Sequence, residues 1–524
     1  MRAGAPGDDR DLLRIAPRHR ERPRPSRRRP PGPPPVRHQS RHRAQGPPQR
    51  LDPPPPRPPG GDRVSAAARR VIVVGAGIAG IACALRLARA GVAVTLLETR
   101  KKLGGRATSF IDPRTGEVLD NCQHIAMGCC TNYLRFCRML GVRDRLQWLR
   151  EICWVETGGR VSVFRPGLLP APAHFAGAFI GAAFLTSAQK ARVALAMGAI
   201  ARCDRANHTR QTFAQWLTAH AQRDDDIRRF WEPVVVSACN LTPARVCAAT
   251  ALHVFQEGFL AHRDAAAIGV SAVPLLQLYD PAEAALRAAG GVLRLGTSVT
   301  RITPREVECA DAPLLHADAV VCALPFERAA RIVDGAVRAA DPRFDRLAAL
   351  THSPILGVHL SFDRPVMPMP AAALVERPTQ WIFRKDEEGR RVHAVISAAD
   401  DWMPLTEDDI TRRVTDDIRA CFPAAASAQV TASRSVKEKL ATFAPTPEAE
   451  AARPDTLGPN ALEGVVLAGD FVRTGWPATM EGAARSGFAA AAAVLGEPLA
   501  GAIEPPLKPG VTVRALCPAL AAMR

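Results

Sequence analysis

Val71-Ile72-Val73-Val74-Gly75-Ala76-Gly77-Ile78-Ala79-Gly80 leads into an Ala/Leu-rich run, Ile81 to Ala90, and then into a second apolar run, Val92 to Glu98. The order reads as strand, glycine turn, helix, strand. A short β-branched run suits a parallel strand buried on both faces, and Gly91 suits the helix stop. The turn fits G-x-G-x-x-G in the context that gives the motif meaning. Gly75 permits the tight turn, Gly77 lets the backbone approach a pyrophosphate, and Gly80 lets the helix lie close on the strand. The helix N-terminus offers N–H donors and partial positive charge to phosphates. Glu98, at the end of the second strand, suits ribose hydroxyls and would repel a 2′-phosphate.

The residues after Glu98 select the nucleotide. Arg100 precedes Leu103-Gly104-Gly105-Arg106-Ala107. This second glycine pair resembles the glutathione-reductase-like FAD folds, in which the extended cofactor runs on past the pyrophosphate. Arg106 is expected to pair with a phosphate or with the flavin edge. A third element lies near the other end: Leu467-Ala468-Gly469-Asp470, then Pro477 to Ala483, then Ser486-Gly487. A strand ending in Gly-Asp places a carboxylate for a ribityl hydroxyl, with service as a helix N-cap the lesser alternative for Asp470. The helix from Met480-Glu481 points its positive end at the flavin, which stabilises the reduced ring. Ala79, Gln123 and Val299 complete the residues expected to touch FAD.

These elements divide the sequence. The expected fold is α/β: an FAD-binding Rossmann domain interleaved with a substrate domain of mixed sheet and helices. FAD-domain pieces are expected at 70–150, 271–345 and 456–500. A largely helical substrate or membrane-facing region is expected at 151–270, the substrate sheet at 346–455, and a loose tail at 501–524. Val292 to Ile302 reads as one strand. Positions 166–189 contain no Lys, Arg, Asp or Glu. They read either as a segment dipping into one bilayer leaflet at a hydrophobic entrance or as an ordinary buried helix. A membrane-spanning helix is disfavoured by Pro166, Pro170 and Pro172.

The net charge of +18 is concentrated at the start. Residues 1–70 hold 18 Arg against 6 Asp and Glu, so +12 of the total sits there. The stretch 1–69 is Pro/Arg-rich and is expected to be disordered; no nucleic-acid partner is expected. Val64 is an alternative start position just ahead of the first strand. The Arg-rich start lacks the apolar segment of a secretory signal. The 13 Cys are scattered without a C-x-x-C pair, which suits reduced thiols in a cytoplasmic protein. No metal site is expected.

The flavin motifs resemble the amine-oxidase and phytoene-desaturase superfamily from Arg70 to Leu495. Phe110-Ile111-Asp112-Pro113-Arg114-Thr115-Gly116-Glu117-Val118-Leu119-Asp120-Asn121-Cys122-Gln123-His124 is similar to a stretch of the hydroxysqualene dehydroxylase family. Trp231-Glu232-Pro233, Asn240-Leu241-Thr242-Pro243 and Pro274 to Asp280 before Gly290-Gly291 are similar to it too. Cys122 stands where that family has Gly, and would be strained if the position needs positive φ. The resemblance implies reductive removal of the hydroxyl of hydroxysqualene to give squalene for hopanoid synthesis. It implies a long isoprenoid substrate, an external electron donor, and contact with the inner face of a membrane. The reaction needs an acid near the flavin, for which His124 and Asp120 are the candidates. His124 could instead only hydrogen-bond flavin or backbone, and Asp120 could only brace a turn. The competing readings are a carotenoid-type desaturase, a flavin amine oxidase and a non-catalytic lipid-escort protein. Intact flavin motifs oppose the last, and a chain with only Tyr133 and Tyr279 for tyrosines disfavours amine oxidation.

Overall fold

Five short strands pair in parallel to form the first sheet of the computed structural model, which describes residues 69–458, 464–517 and 520. Their spatial order is Val292–Arg294, Ala93–Leu97, Arg70–Val74, Ala319–Cys322, Val466–Leu467. The first strand is central, with Val71 registered against both Val94 and Ala319. The chain therefore leaves it in one direction for Glu98 and in the other for Ala323. Ligands bind open α/β sheets at such a reversal, outside the carboxyl ends of the strands. Gly75, Glu98, Ala323 and Gly469 all follow strands at that edge.

Helix Ile78–Arg89 covers one face, and Gly91 follows it at φ +84°. Helix Met480–Leu495 lies directly on it. A Cβ at Gly487 would sit 2.2 Å from the Ala79 carbonyl oxygen. This contact joins the first and last motifs of the sequence.

Two expectations on strands need correction. Val292 to Ile302 is not one strand, because Gly296 turns at φ +68° and donates its N–H to Arg100 O at 3.2 Å. Val292–Arg294 joins the parallel sheet, whereas Val299–Ile302 opens a three-stranded meander with Glu306–Cys309 and Ala312–His316. Residues 151–270 are not helical throughout. Ile152–Val155 and Val161–Phe164 pair antiparallel and join a seven-stranded mixed sheet with 352–362, 371–374, 381–384, 391–397 and 430–443. Gly158-Gly159 between two β-prone runs is the hairpin signal that announces this pair.

Helices Ala176–Gly181, Ser187–Arg202, Phe213–Ala219, Glu232–Cys239 and Ala248–Phe255 form the helical layer. It is packed around Phe184, Phe213, Trp216, Trp231 and Phe255, each at most 1% exposed. Each such burial contributes roughly 1.5–3 kcal/mol. Among the described residues no helix is long and apolar enough to cross a membrane. All 13 cysteines are free thiols.

The tail expected to be loose is partly docked. Val511–Leu516 is helical, and Val513 and Cys517, one turn apart, are buried in the aromatic cluster of the helical layer. Thr512 Oγ1 donates to Ala171 O at 2.7 Å. The Pro/Arg-rich stretch 1–68 and the alternative start lie outside the described residues.

Candidate functional site: one cavity with a nucleotide end and an apolar end

At the carboxyl edge of the parallel sheet lies a cavity of about 1340 Å³. Gly75, Gly77, Ala79, Glu98, Arg100, Gly104, Gly105 and Val299 line one end. The turn there is set by close approach: Gly75 has φ +103°, and a Cβ at Gly80 would lie 1.8 Å from Gly75 O. Gly77 differs. A Cβ there would meet no protein atom nearer than Gly105 Cα at 4.0 Å, and its φ of −76° suits any residue. Protein packing gives no reason for glycine at this cavity-lining position, whereas a phosphate against the helix N-terminus does. Glu98 Oε2 accepts from Ala76 N and Oε1 from Arg100 N, both at 2.9 Å. The carboxylate is thereby held rigid at the strand end. Gly104 N donates to Ala76 O at 3.0 Å, binding the second glycine pair to the first turn.

Further along the cavity, Arg106 forms an ion pair with Asp470 and donates to Ala441 O at 3.1 Å. Asp470 is no helix cap: Thr479 Oγ1 accepts from Gly482 N at 3.1 Å and caps Met480–Leu495. Arg453, unremarked in the sequence, holds the flavin loop from behind. It is 2% exposed and donates to the carbonyls of Asp470, Phe471 and Val472 at 3.2, 3.2 and 2.6 Å. Met480 lines the cavity as expected. Glu481 also borders it, but its carboxylate serves another purpose. It accepts from Asn132 N, Asn132 Nδ2 and Tyr133 N at 3.2, 2.9 and 2.7 Å, at the N-terminus of helix Thr131–Met139. A carboxylate there satisfies free N–H groups and the helix dipole. The Glu481 carboxylate is therefore a structural cap of that helix, with burial raising its pKa, while the residue itself borders the cavity as expected of a residue near the cofactor.

The two acid candidates part company. Asp120 is outside the cavity lining. Its Oδ1 accepts from Ser109 Oγ at 2.8 Å and Leu275 N at 2.9 Å, its Oδ2 lies 3.8 Å from Lys385 Nζ, and its carbonyl is 2.9 Å from His359 Nε2. It braces the strand pair Ser109–Ile111 and Val118–Asp120 against residues 274–276, so the catalytic expectation for Asp120 is withdrawn. His124 and Gln123 do line the cavity. Gln123 Oε1 accepts from Lys385 Nζ at 3.2 Å. His124 Nδ1 is 3.1 Å from Cys122 O, which fixes the neutral tautomer with Nδ1–H donating and Nε2 free to accept. Burial lowers the His124 pKa. Cys122 is not at positive φ, so the anticipated strain is absent.

The opposite end of the cavity is apolar. Trp154, Phe175, Phe179, Met197, Phe230 and Phe259 line it. They come from the hairpin at 152–164 and from the helical layer. Trp476, just ahead of the last flavin motif, meets His253 edge-on at 4.7 Å between ring centroids. Sequence patterning flagged only the charge-free stretch 166–189. The remaining aromatics carry no signal until helices separated by dozens of residues are superposed.

Residues 78–495 match the model of a family described as flavin containing amine oxidoreductase. The chain belongs to this family. As a flavin containing amine oxidoreductase it is an FAD-dependent oxidoreductase, and the nucleotide cradle described above fits that cofactor. Curated relatives include a hydroxysqualene dehydroxylase of Rhodopseudomonas palustris, 29% identical over 82% of this chain and 98% of the relative. Another, from Sinorhizobium fredii, is 27% identical over 82% and 99%. A 15-cis-phytoene desaturase of Synechococcus elongatus is 25% identical over 81% and 96%. Among solved structures, an oxidoreductase from Methanosarcina mazei shares the fold with a TM-score of 0.62 at 17% identity, covering 82% of this chain and 100% of that one.

Proposed function

We propose that this enzyme removes the hydroxyl of hydroxysqualene reductively to give squalene, feeding hopanoid synthesis, with electrons from an external donor. The observation that carries this reading is the continuity of the nucleotide cradle with an aromatic-walled apolar arm. At about 1340 Å³ the cavity exceeds the roughly 300–1,000 Å³ of an ordinary single-ligand site. It has room for part of a nucleotide and a long hydrocarbon. The relatives named for hydroxysqualene support the choice of substrate.

Bound FAD, once reduced, supplies a hydride. The protein must hold the carbon bearing the hydroxyl at the cradle, exclude water, and deliver a proton so that the hydroxyl leaves as water. One hydride and one proton are consumed, a C–O bond breaks and a C–H bond forms. His124 is the cavity-lining group placed for the proton: its Nδ1 is tied to Cys122 O, so a proton taken up goes to Nε2.

Because burial lowers the His124 pKa below its ordinary 6.5, the protonated form grows only in acid. Single-turnover oxidation of the pre-reduced enzyme by hydroxysqualene is expected to speed up as pH falls through an inflection below 6.5. His124→Gln should lose that inflection and roughly 10²-fold or more in rate. An unchanged pH profile in the variant would remove His124 from the mechanism.

The desaturase relatives favour a second reading, in which hydride flows from a carotenoid precursor to oxidised FAD. Product analysis by mass spectrometry separates the two. Reduced enzyme with hydroxysqualene should yield squalene, and oxidised enzyme with phytoene should return phytoene unchanged. The reverse outcome would overturn the proposal.

A further inference from the structure

One carboxylate stands inside the aromatic end of the cavity. Among the described residues, six carboxylates line the cavity. Five lie with the flavin motifs: Glu98 at the strand end, Glu481 in the last helix, and Asp470, Glu327 and Glu438 around Arg106. The sixth, Glu257, is 3% exposed and stands two residues from each of Phe255 and Phe259, which line the cavity with it. A charge in such surroundings is costly to bury, so its retention calls for a reason.

The fold builds this position from several directions. Helix Ala248–Phe255 runs on into a π-helical turn, Gln256–Leu260, a widened geometry frequent at functional sites. Gln256 is fully buried. Its Nε2 donates to the carbonyls of Ile200 and Cys203 at 2.9 and 3.0 Å, and its Oε1 accepts from Arg205 Nη1 at 2.9 Å. The same Arg205 nitrogen lies 3.7 Å from Glu257 Oε1 and supplies the cation that offsets burial of the carboxylate. The turn also sits where the two ends of the cavity meet. A Cβ at Gly258 would lie 3.1 Å from Met127 Cε, in the strand Ile125–Met127 that follows His124. His253, one helical turn before Glu257, meets Trp476 ahead of the flavin helix. Two other polar side chains of the apolar end serve the fold. Asn240 Nδ2 donates to Ser353 O and Thr442 Oγ1 at 2.9 Å, and Ser237 Oγ accepts from Trp381 Nε1 at 2.6 Å.

A plain hydrocarbon gives a carboxylate in this position nothing to accept. An alcohol does, and a carboxylate has about four acceptor sites, so an ion pair does not exhaust it. We propose that Glu257 is the hydroxyl-binding subsite, accepting the hydrogen of the substrate alcohol and so holding the carbon that bears it at the junction of arm and cradle. The inference rests on the proposed function in taking the substrate to be a long hydrocarbon with one hydroxyl. With its hydrogen on Glu257, the hydroxyl keeps its oxygen lone pairs for the proton that makes it leave as water. The hydrocarbon product lacks this bond, so the same subsite favours its release.

The test is equilibrium titration of the oxidised, FAD-loaded full chain in detergent, with hydroxysqualene and separately with squalene, read by the change in flavin absorbance. Oxidised flavin has no hydride to give, so binding is measured without turnover. The parent should bind hydroxysqualene roughly 10-fold or more tighter than squalene, the strength of one hydrogen bond to a charged acceptor. Glu257→Leu should bring that ratio close to one while squalene affinity is retained. Glu257→Gln keeps the shape and a neutral acceptor, and should lower the ratio about three-fold or more. A purely structural Glu257 would weaken both ligands alike. A parental ratio in Glu257→Leu therefore overturns the assignment, as does a parent that binds the two ligands equally. Should Glu257→Leu fail to retain flavin, Glu257→Gln decides, and an unchanged ratio there overturns it. If the ratio collapses as expected but reduced enzyme forms no squalene, the subsite stands and the reaction falls. If squalene forms while the ratio ignores position 257, the reaction stands and the subsite falls.

Discussion

Gly77→Val is expected to give a folded protein that purifies without its yellow colour. At φ −76° valine is sterically allowed, and the nearest protein atom to the new Cβ is 4.0 Å away, so the parallel sheet and its first helix should form normally. The added side chain lies in the cavity at the helix N-terminus, where it separates the phosphates from the N–H groups that bind them. Losing two charge-assisted hydrogen bonds at about 1.5–3 kcal/mol each weakens FAD by more than ~100-fold. Gly80→Val is the contrasting control. Its Cβ would fall 1.8 Å from Gly75 O, a clash with backbone that the fold cannot relieve, so that variant should lose soluble expression altogether. Flavin titration and circular dichroism of the pair distinguish the roles. A Gly77→Val protein that binds FAD with parental affinity would contradict the placement of the pyrophosphate.

Arg453→Met should cost about 3–5 kcal/mol in denaturant unfolding and release flavin as it does so. The guanidinium is nearly inaccessible and donates to three successive carbonyls, 470 to 472, while pairing with Glu450 at 3.1 Å and stacking over Phe443 at 5.0 Å. Methionine matches its volume but supplies no donor, leaving buried carbonyls unsatisfied and Glu450 unpaired. Arg453→Lys should recover only part of the loss, because one ammonium cannot reproduce a planar fork aimed at three acceptors. The loop so released carries Asp470, and with it the pairing to Arg106 that spans the middle of the cavity. A stability loss below ~1 kcal/mol, with flavin retention unchanged, would show that the loop holds itself.

The expected flavin residues fared unevenly, for reasons specific to each. Gly75, Gly77, Gly80 and Glu98 were legible because their chemistry is local: a turn, a helix start and a strand end within thirty residues. Gly469-Asp470 was legible because a strand ending in that pair has few other uses. Glu481 looked like a flavin contact from its place in the last helix. Its carboxylate nevertheless found the open N-terminus of a helix some 350 residues earlier in the chain. Asp120 and His124 lie four residues apart and looked equivalent, yet the intervening backbone turns one into a brace and the other toward the cavity.

From the order of residues alone came the dinucleotide turn, the second glycine pair, the closing Gly-Asp strand and the match between them, because each motif is a short-range steric or hydrogen-bonding requirement. Only the tertiary structure decided that Arg453 supports the loop carrying Asp470, that Glu481 caps a distant helix, and that Leu516 and Cys517 reach the lining of the same cavity. Those outcomes depend on which unsatisfied donors, acceptors and apolar surfaces meet once chain segments hundreds of residues apart are folded together, and no local pattern encodes that meeting.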